Sequence, residues 1–249
     1  MQEVDGILCP GFVNTHCHLE LSHMKGVIPE HTGLPAFLTQ VMQSRTQQAN
    51  FPQFIDDAEQ MMWEDGISAV GDICNTTETL VKKQQGRIYY HSFIECMGVA
   101  DAGATQRYDY SMGILDSFRE ISGEFNHCSI VPHAPYSVSR SLFNLLAATP
   151  DNDLVTIHNQ ETAAENELYQ QKTGAFIDFY NHFKMDANSF QPTHTNSLEA
   201  YLPFFSQQKI ILVHNTFTSE ADVSYAQQRA KDTWWCLCPN ASLYIENRL

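Results

Sequence analysis

The chain has 249 residues, 43% hydrophobic and 17% charged, so it carries enough apolar side chains for a core and does not have the composition of a disordered chain. Its 14 Lys and Arg residues stand against 29 Asp and Glu residues, which leaves a formal net charge of -15. Such a charge repels a phosphate backbone or an anionic lipid surface. We therefore expect neither nucleic acid nor a membrane as partner, and no apolar run approaches the roughly 20 residues that cross a bilayer.

The cysteines and the amino terminus bear on the compartment. Seven cysteines are an odd number, and Cys9, Cys74, Cys96, Cys236 and Cys238 lie in apolar, strand-like runs. This pattern is typical of reduced, buried thiols rather than of a disulfide framework. The first residues also lack the basic start and apolar run of a secretory signal. The sequence therefore predicts a cytoplasmic location.

Apolar runs with strand character alternate with helical stretches along the chain. Several of them, such as 210–213 and 234–237, are continuously apolar. Continuous runs are typical of parallel strands that are buried on both faces. The predicted strands are 7–16, 67–74, 87–97, 128–133, 154–158, 209–214 and 234–238.

The helices are predicted from residues that start or stop them. Pro35 and Pro52 favour the first turns of two helices before the second strand. Ser139 is expected to cap a helix over 142–148, and Ser219 with Asp222 forms a capping-box pattern ahead of 223–230. Gly174 is expected to end a helix that begins near residue 161, with another helix at 175–184. Because no repeat or linker interrupts this order, we expect a single domain over residues 1–249.

An alternation of strands and helices allows an open doubly wound sheet or a closed barrel. The glycine-rich and Walker nucleotide-binding signatures are absent from the sequence. Histidines stand at the carboxyl ends of four predicted strands, where barrel enzymes assemble their active sites. The sequence therefore predicts an α/β fold of the TIM-type (β/α)8 barrel.

The first of these positions carries His16 and His18, two residues apart, so both imidazoles can face the same side of an extended strand. Such a pair alone is either a metal site or a surface accident. Two further strand-end histidines, His158 and His214, favour the metal, because neutral imidazole is a common ligand of zinc and iron. Glu161 is either an ordinary acid in a first helical turn or a proton carrier beside the metal.

One more acid lies near the predicted rim. Glu95 falls toward the end of the third predicted strand, so its side chain can reach the substrate side of the barrel.

Four motifs, in this order along the chain, resemble the amidohydrolase superfamily, and within it the branch of cytosine/adenosine-type deaminases and chlorohydrolases. They are residues 10–19 (PGFVNTHCHL), residues 132–138 (PHAPYSV), His158-x-x-Glu161 and Val213-His214-Asn215. The resemblance implies that His16, His18 and His158 are ligands of one divalent metal, with zinc expected ahead of iron. It implies that Glu161 shuttles protons and that His214 orients the hydrolytic water. His133 and Tyr136 match the segment that faces the substrate in aminopurine-nucleoside deaminases.

Two family features fall outside this sequence. The family's aspartate ligand at the end of strand eight has no counterpart, since no aspartate follows Asp232. The small β-sandwich that normally flanks the barrel is also missing. We therefore expect an incomplete barrel of about seven β/α units, truncated at both ends, whose first and seventh strands have open edges.

The resemblance implies a hydrolase acting on C–N bonds, most specifically a deaminase of an amino-substituted N-heterocycle of nucleoside or nucleobase type, with water as the second substrate. Chloride or an amide nitrogen is the alternative leaving group in the same superfamily. A different alternative is a non-catalytic fragment with weak or no metal binding. A third is a homo-oligomer or another partner that completes the barrel.

Overall fold

The fold is described from a computed structural model for residues 5–46, 51–229 and 232–249. These residues form seven strands that alternate with helices, as predicted. The strands are β1 (Phe12–Cys17), β2 (Ile67–Cys74), β3 (Tyr89–Cys96), β4 (Asn126–Pro132), β5 (Leu154–Asn159), β6 (Lys209–His214) and β7 (Thr233–Cys236). The α-helices are α1 (Leu34–Ser44), α2 (Phe51–Glu64), α3 (Leu80–Lys83), α4 (Ala104–Arg119), α5 (Arg140–Ala147), α6 (Ala163–Gln171), α7 (Ala175–His182), α8 (Ser197–Tyr201), α9 (Glu220–Arg229) and α10 (Pro239–Glu246).

The strands form two parallel sheets in the orders β1-β2-β3-β4 and β5-β6-β7. They meet where the His158 N–H donates to the His133 carbonyl over 3.0 Å. Elsewhere between β4 and β5, the Asn152 side chain makes the two hydrogen bonds that a paired strand would make. It accepts from the Ile130 N–H at 3.0 Å and donates to the Ile130 carbonyl at 2.8 Å. The two sheets are therefore neighbouring sectors of one wall, with all described strand ends that carry histidines on the same rim.

The first strand is shorter than predicted. It begins at Phe12 rather than at residue 7, and Ile7, Leu8 and Cys9 are exposed. Pro10 lacks the N–H that a ladder needs. The expectation of a buried Cys9 thiol within a strand was therefore wrong, although all seven cysteines are free, as the sequence indicated.

The outer strands have open edges, as predicted. Among the described residues, β1 pairs only with β2 and β7 pairs only with β6. Phe12 is 63% exposed and Trp234 is 48% exposed. The expectation that the run 234–237 is buried on both faces was wrong, because an apolar run is buried only where neighbouring elements cover it. Of Trp234 and Trp235, Trp235 packs against the core and Trp234 does not.

Helix boundaries follow the predicted caps with one exception. The Ser139 side chain accepts from the Leu142 N–H, and Ser219 exchanges hydrogen bonds with Asp222 in a capping box. The helix over 223–230 corresponds to α9, and residue 230 lies outside the described residues. Gly174 does not end α6, which closes at Lys172 in the left-handed conformation (φ 54°); Gly174 instead precedes α7.

Two clusters of buried apolar side chains pack the helices against the sheets and against one another. The larger one packs β3 to β6 against α4, α5 and α8, with Phe93, Phe118 and Leu212 fully buried. A second cluster joins α1, α7 and α10 around Tyr136 and Phe176. Within the described ranges no helix has the length and apolar character of a membrane span.

Candidate metal centre and active site

Three histidines from two strands meet at the rim of the wall. His16 lies in β1 and His18 directly follows it, so the two-residue spacing puts both imidazoles on one side. The Nε2 atom of His18 lies 3.2 Å from Nε2 of His16 and 3.2 Å from Nε2 of His158, near the end of β5. The structure therefore brings together the three predicted metal ligands, with their ligand atoms within 4.8 Å of one another.

The hydrogen-bonding groups of these three rings are arranged as they would be around a bound divalent cation. An imidazole nitrogen carries either one hydrogen or one lone pair, so three converging Nε2 atoms cannot all satisfy one another. His158 Nδ1 donates to the His133 carbonyl at 2.8 Å, which puts the lone pair on Nε2 and aims it at the cluster. A divalent cation bound by the three lone pairs would satisfy all of them.

The protonation state of the cluster also suits a metal. Burial, and then the charge of neighbouring histidines, lowers the pKa of His16 and His18 well below its usual value. Burial lowers the pKa of His158 to about 4. The three rings are therefore neutral at pH 7, which is the form that binds metals.

Glu161 and His214 form a pair beside the cluster. His214, the last residue of β6, places Nε2 at 3.5 Å from Oε1 of Glu161, and its ring centroid lies 5.4 Å from that of His158. Burial raises the pKa of Glu161 to about 7 and lowers the pKa of His214 to about 4. At neutral pH the Glu161 carboxyl is poised to accept and return a proton while His214 stays uncharged.

The two residues of the 132–138 segment that are predicted to face the substrate differ in how closely they approach the histidine cluster. The His133 ring centroid is 4.8 Å from that of His158, and its Nδ1 lies 2.7 Å from the Ser137 hydroxyl. Tyr136 touches His133 edge to face but stacks on Phe176 with centroids 4.2 Å apart, inside the second apolar cluster. His133 thus belongs to the site, whereas the Tyr136 ring is largely committed to packing.

Glu95 reaches the rim, as expected, and contacts His158, one of the three predicted metal ligands. Its Oε1 lies 3.4 Å from Nδ1 of His158, and its Oε2 accepts from the Asn75 amide at 2.9 Å. Burial raises the pKa of Glu95 to about 8. Glu95 also lies close to His133 and His158 in a second group of candidate ligands, but the lone pair of His158 already faces His18, so the geometry favours one metal position.

The sequence interpretation missed the polar residues that support this rim. Glu20, two residues after His18, is buried and accepts from the backbone N–H groups of Asn75 and Thr76 at 3.0 and 3.1 Å. Asn75 links it to Glu95. The available signal was the place of Asn75 immediately after the second predicted strand, which is the same position that the strand-end histidines occupy.

The profile of the amidohydrolase family matches residues 7–248, which is nearly the whole chain. The chain belongs to the amidohydrolase family. It is 23% identical over 245 residues to an adenosine deaminase of Helicobacter pylori and 25% identical over 223 residues to an aminodeoxyfutalosine deaminase of Nitratiruptor sp.. These matches cover 94% and 88% of this chain, but only 57% and 54% of the two relatives.

Structural comparison agrees with the family. The crystal structure of Helicobacter pylori aminofutalosine deaminase in complex with methylthio-coformycin superposes with a TM-score of 0.84 at 20% identity, covering 96% of this chain and 58% of that one. At this identity the likeness concerns the fold, and it confirms the predicted barrel architecture of the amidohydrolase type. The chain thus spans little more than half the length of the proteins it matches.

Proposed function

We propose that this family member hydrolyses a C–N bond, and specifically that it deaminates an amino-substituted N-heterocycle of nucleoside or nucleobase type. The observation that carries the proposal is the convergence of His16, His18 and His158 next to the Glu161–His214 pair. That both curated relatives are named as deaminases supports ammonia as the leaving group.

His16, His18 and His158 would hold one divalent cation through their Nε2 atoms. Three neutral imidazoles suit zinc, and we place zinc ahead of ferrous iron because zinc binds such sets with few geometric demands. A cation bound there would act as a Lewis acid that lowers the pKa of a water toward ~7.

Glu161 would carry the proton through the reaction. Its carboxylate removes a proton from the attacking water and delivers it to the ring nitrogen of the substrate, as the water oxygen bonds to the amino-bearing carbon. His214, neutral and 3.5 Å from Glu161, orients that water. In the tetrahedral intermediate the new hydroxyl then gives its proton to the exocyclic amino nitrogen by way of Glu161. The bond between that nitrogen and the ring carbon breaks, the electron pair leaves with ammonia, and the ring carbon keeps the oxygen as a carbonyl. A carboxyl with a pKa of about 7 suits both directions of transfer.

The substrate would lie against the side of the rim formed by β3 and β4. We assign substrate contacts to His133 and Glu95, which reach the cluster, and a supporting contact to Tyr136, whose ring backs His133.

We retain a cytoplasmic location as part of the proposal, because all seven cysteines are free thiols. Self-association through the edges of β1 and β7 stays a prediction that light scattering tests.

The decisive experiment replaces Glu161 by Gln in the zinc-loaded chain. Because the amide cannot accept a proton, kcat for ammonia release should fall by about 10⁴-fold, the upper end for a positioned acid–base group. Zinc content should stay the same, since Glu161 is not among the three ligands. The candidate substrates are aminopurine nucleosides, aminopurine bases and aminopyrimidines, and the release of ammonia is measured for each. Chloro-substituted analogues are tested in parallel for the release of chloride.

Glu167→Gln is the matched control, because Glu167 is exposed on α6, the helix that directly follows Glu161. Unchanged turnover in Glu161→Gln would refute the assignment of Glu161. A chain that takes up neither zinc nor iron and releases no ammonia would instead support the non-catalytic alternative.

A further inference from the structure

The backbone that carries Glu161 leaves β5 through an uncommon turn. Gln160 is fully buried and has φ +44°, in the left-handed region that side chains other than glycine seldom adopt. Its carbonyl accepts from the Phe217 N–H at 2.9 Å, and its side-chain oxygen accepts from the Thr218 hydroxyl at 2.6 Å. The turn is thus tied to the loop that follows β6, where His214 and Asn215 are also left-handed.

Glu165 closes this turn from the helix side. It lies in the first turn of α6 and is fully buried, and its Oε1 accepts from the Gln160 N–H at 3.0 Å and from the Ser197 hydroxyl. The spacing Thr162-x-x-Glu165 is typical of a capping box, in which the glutamate returns to the N-cap N–H. Here the carboxyl reaches two residues further back, to the turn before Glu161.

We propose that Glu165, held by Ser197, is a positioning residue that fixes the Gln160 turn and thereby aims the Glu161 carboxyl at His214. The inference rests on the proposed role of Glu161 as proton carrier. Since Glu161 directly follows Gln160, a rotation about the Gln160 backbone displaces the Glu161 side chain from its 3.5 Å contact with His214. Small displacements of a reacting group cost large factors in rate.

The chemistry of Glu165 predicts which substitutions preserve this role. Burial raises the pKa of Glu165 to about 8, although the hydrogen bonds from Ser197 and from the backbone N–H of Gln160 lower it. The turn therefore needs an acceptor at Oε1 and not a negative charge. Gln supplies that acceptor with the same shape, and Leu removes it.

The test compares Glu165→Gln, Glu165→Leu, Ser197→Ala and the exposed control Glu167→Leu in the full chain with zinc. We expect Glu165→Leu to lower kcat by about 10²-fold, with KM within about 3-fold and unchanged zinc content. Glu165→Gln should restore kcat to within about 3-fold of the original chain, and Ser197→Ala should lower it by about 5-fold. Glu167→Leu should change nothing.

Two results would overturn the proposal. One is a Glu165→Leu protein that melts earlier but keeps its kcat, as a simple helix cap would; if that variant does not fold, an unchanged kcat in Ser197→Ala decides the same point. The other is a Glu165→Gln protein as impaired as Glu165→Leu, since this would show that charge rather than the acceptor matters.

A second measurement is independent of turnover. Amide exchange of Gln160, followed by NMR, should be at least about 10²-fold faster in Glu165→Leu than in the original chain, because the buried N–H loses its acceptor. Exchange should be unchanged in Glu165→Gln and Glu167→Leu. Equal exchange rates of the Gln160 amide in Glu165→Leu and in the original chain would show that Glu165 does not hold the Gln160 turn. Absence of turnover in the original chain would refute the proposed function, and the exchange data would still decide the role of Glu165.

Discussion

The two halves of the candidate site rest on strands of different character. His158 and His214 lie on β5 and β6, which pair without interruption from Leu154 and Lys209 to Asn159 and His214. His16 and His18 come from β1, which among the described residues pairs only with β2 and whose register shifts twice over six residues. The first half is central, since β5 also meets β4 where the two sheets join, and the second half lies on an edge.

Buried polar contacts secure the edge half in addition to the irregular pairing of β1 with β2. The Leu19 N–H, immediately after the ligand His18, donates to Asp72 Oδ1 at 2.8 Å. The other oxygen of Asp72 lies 2.6 Å from the ammonium of Lys83, and both side chains are fully buried. The central half thus has uninterrupted strand pairing beneath its own side-chain contacts, whereas the edge half depends on Asp72 and on the metal that would join it to His158.

The largest expected effect is the loss of the ligand that joins the halves. His158→Ala should raise the dissociation constant for zinc by more than the ~10–100-fold that supporting residues contribute, because it removes a direct donor. Turnover should be lost with the metal. Elemental analysis and ammonia release measure both, with His182→Ala, at an exposed position at the end of α7, as control. Stoichiometric zinc in His158→Ala would break the assignment of the centre.

Zinc itself should stabilise the two halves unequally. At a zinc concentration of about 1,000 times Kd, the free energy of unfolding should rise by about 4 kcal/mol, because only the folded chain presents the three imidazoles together. Hydrogen exchange should slow most in residues 12–24 and less in β5 and β6, which the sheet already protects. Equal protection of both halves would contradict the comparison.

Breaking the buried pair under the edge half should come next. Asp72→Asn leaves the Lys83 ammonium buried without its anionic partner, which should cost about 3 kcal/mol of unfolding free energy. The amide oxygen can still accept from Leu19, so zinc affinity should fall less than in Asp72→Ala. Asp116→Asn, in the exposed pair with Arg119 at 3.0 Å, should cost less than about 0.5 kcal/mol in the same denaturation experiment.

The last expected effect, of a size similar to that of Asp72→Asn, is a pH dependence from two buried carboxyls, Glu95 on β3 and Glu165 on α6. Burial raises the pKa of Glu95 and of Glu165 to about 8, so between pH 4.5 and 8 the folded chain binds more protons at these groups than the unfolded chain does. Their contribution to stability is therefore complete at low pH and is lost as the pH rises. Between pH 6.5 and 8 the unfolding free energy should fall by on the order of 1 kcal/mol per pH unit for each group.

Urea denaturation at both pH values measures this slope, and Glu165→Gln should reduce it by about half, because Glu95 still titrates. A stability that rises from pH 6.5 to 8, or an unaltered slope in Glu165→Gln, would contradict the protonated state of these carboxyls.

Much of the fold and of the site was predictable, for identifiable reasons. Each strand was found within a few residues of its position, because apolar runs with strand character are local signals. The convergence of five side chains was predictable because parallel strands end on one rim, and the order of motifs indicated the family; the roles of these residues stay predictions. They are His16, His18, His158, Glu161 and His214. The length of β1 and the exposure of Trp234 were not predicted, because both depend on what lies beside the strand and not on the run itself.

The amino-acid sequence by itself determined the strand order, the rim on which the histidines stand and the family to which the chain belongs. Only the tertiary structure decided that Glu95 touches His158, that Asp72 holds the Leu19 N–H directly after His18, and that Glu165 reaches back to Gln160. The physical reason is that strand and helix patterns repeat at short spacing, so a local stretch reveals them. A buried polar side chain instead takes whichever partner the packed chain brings within hydrogen-bond distance.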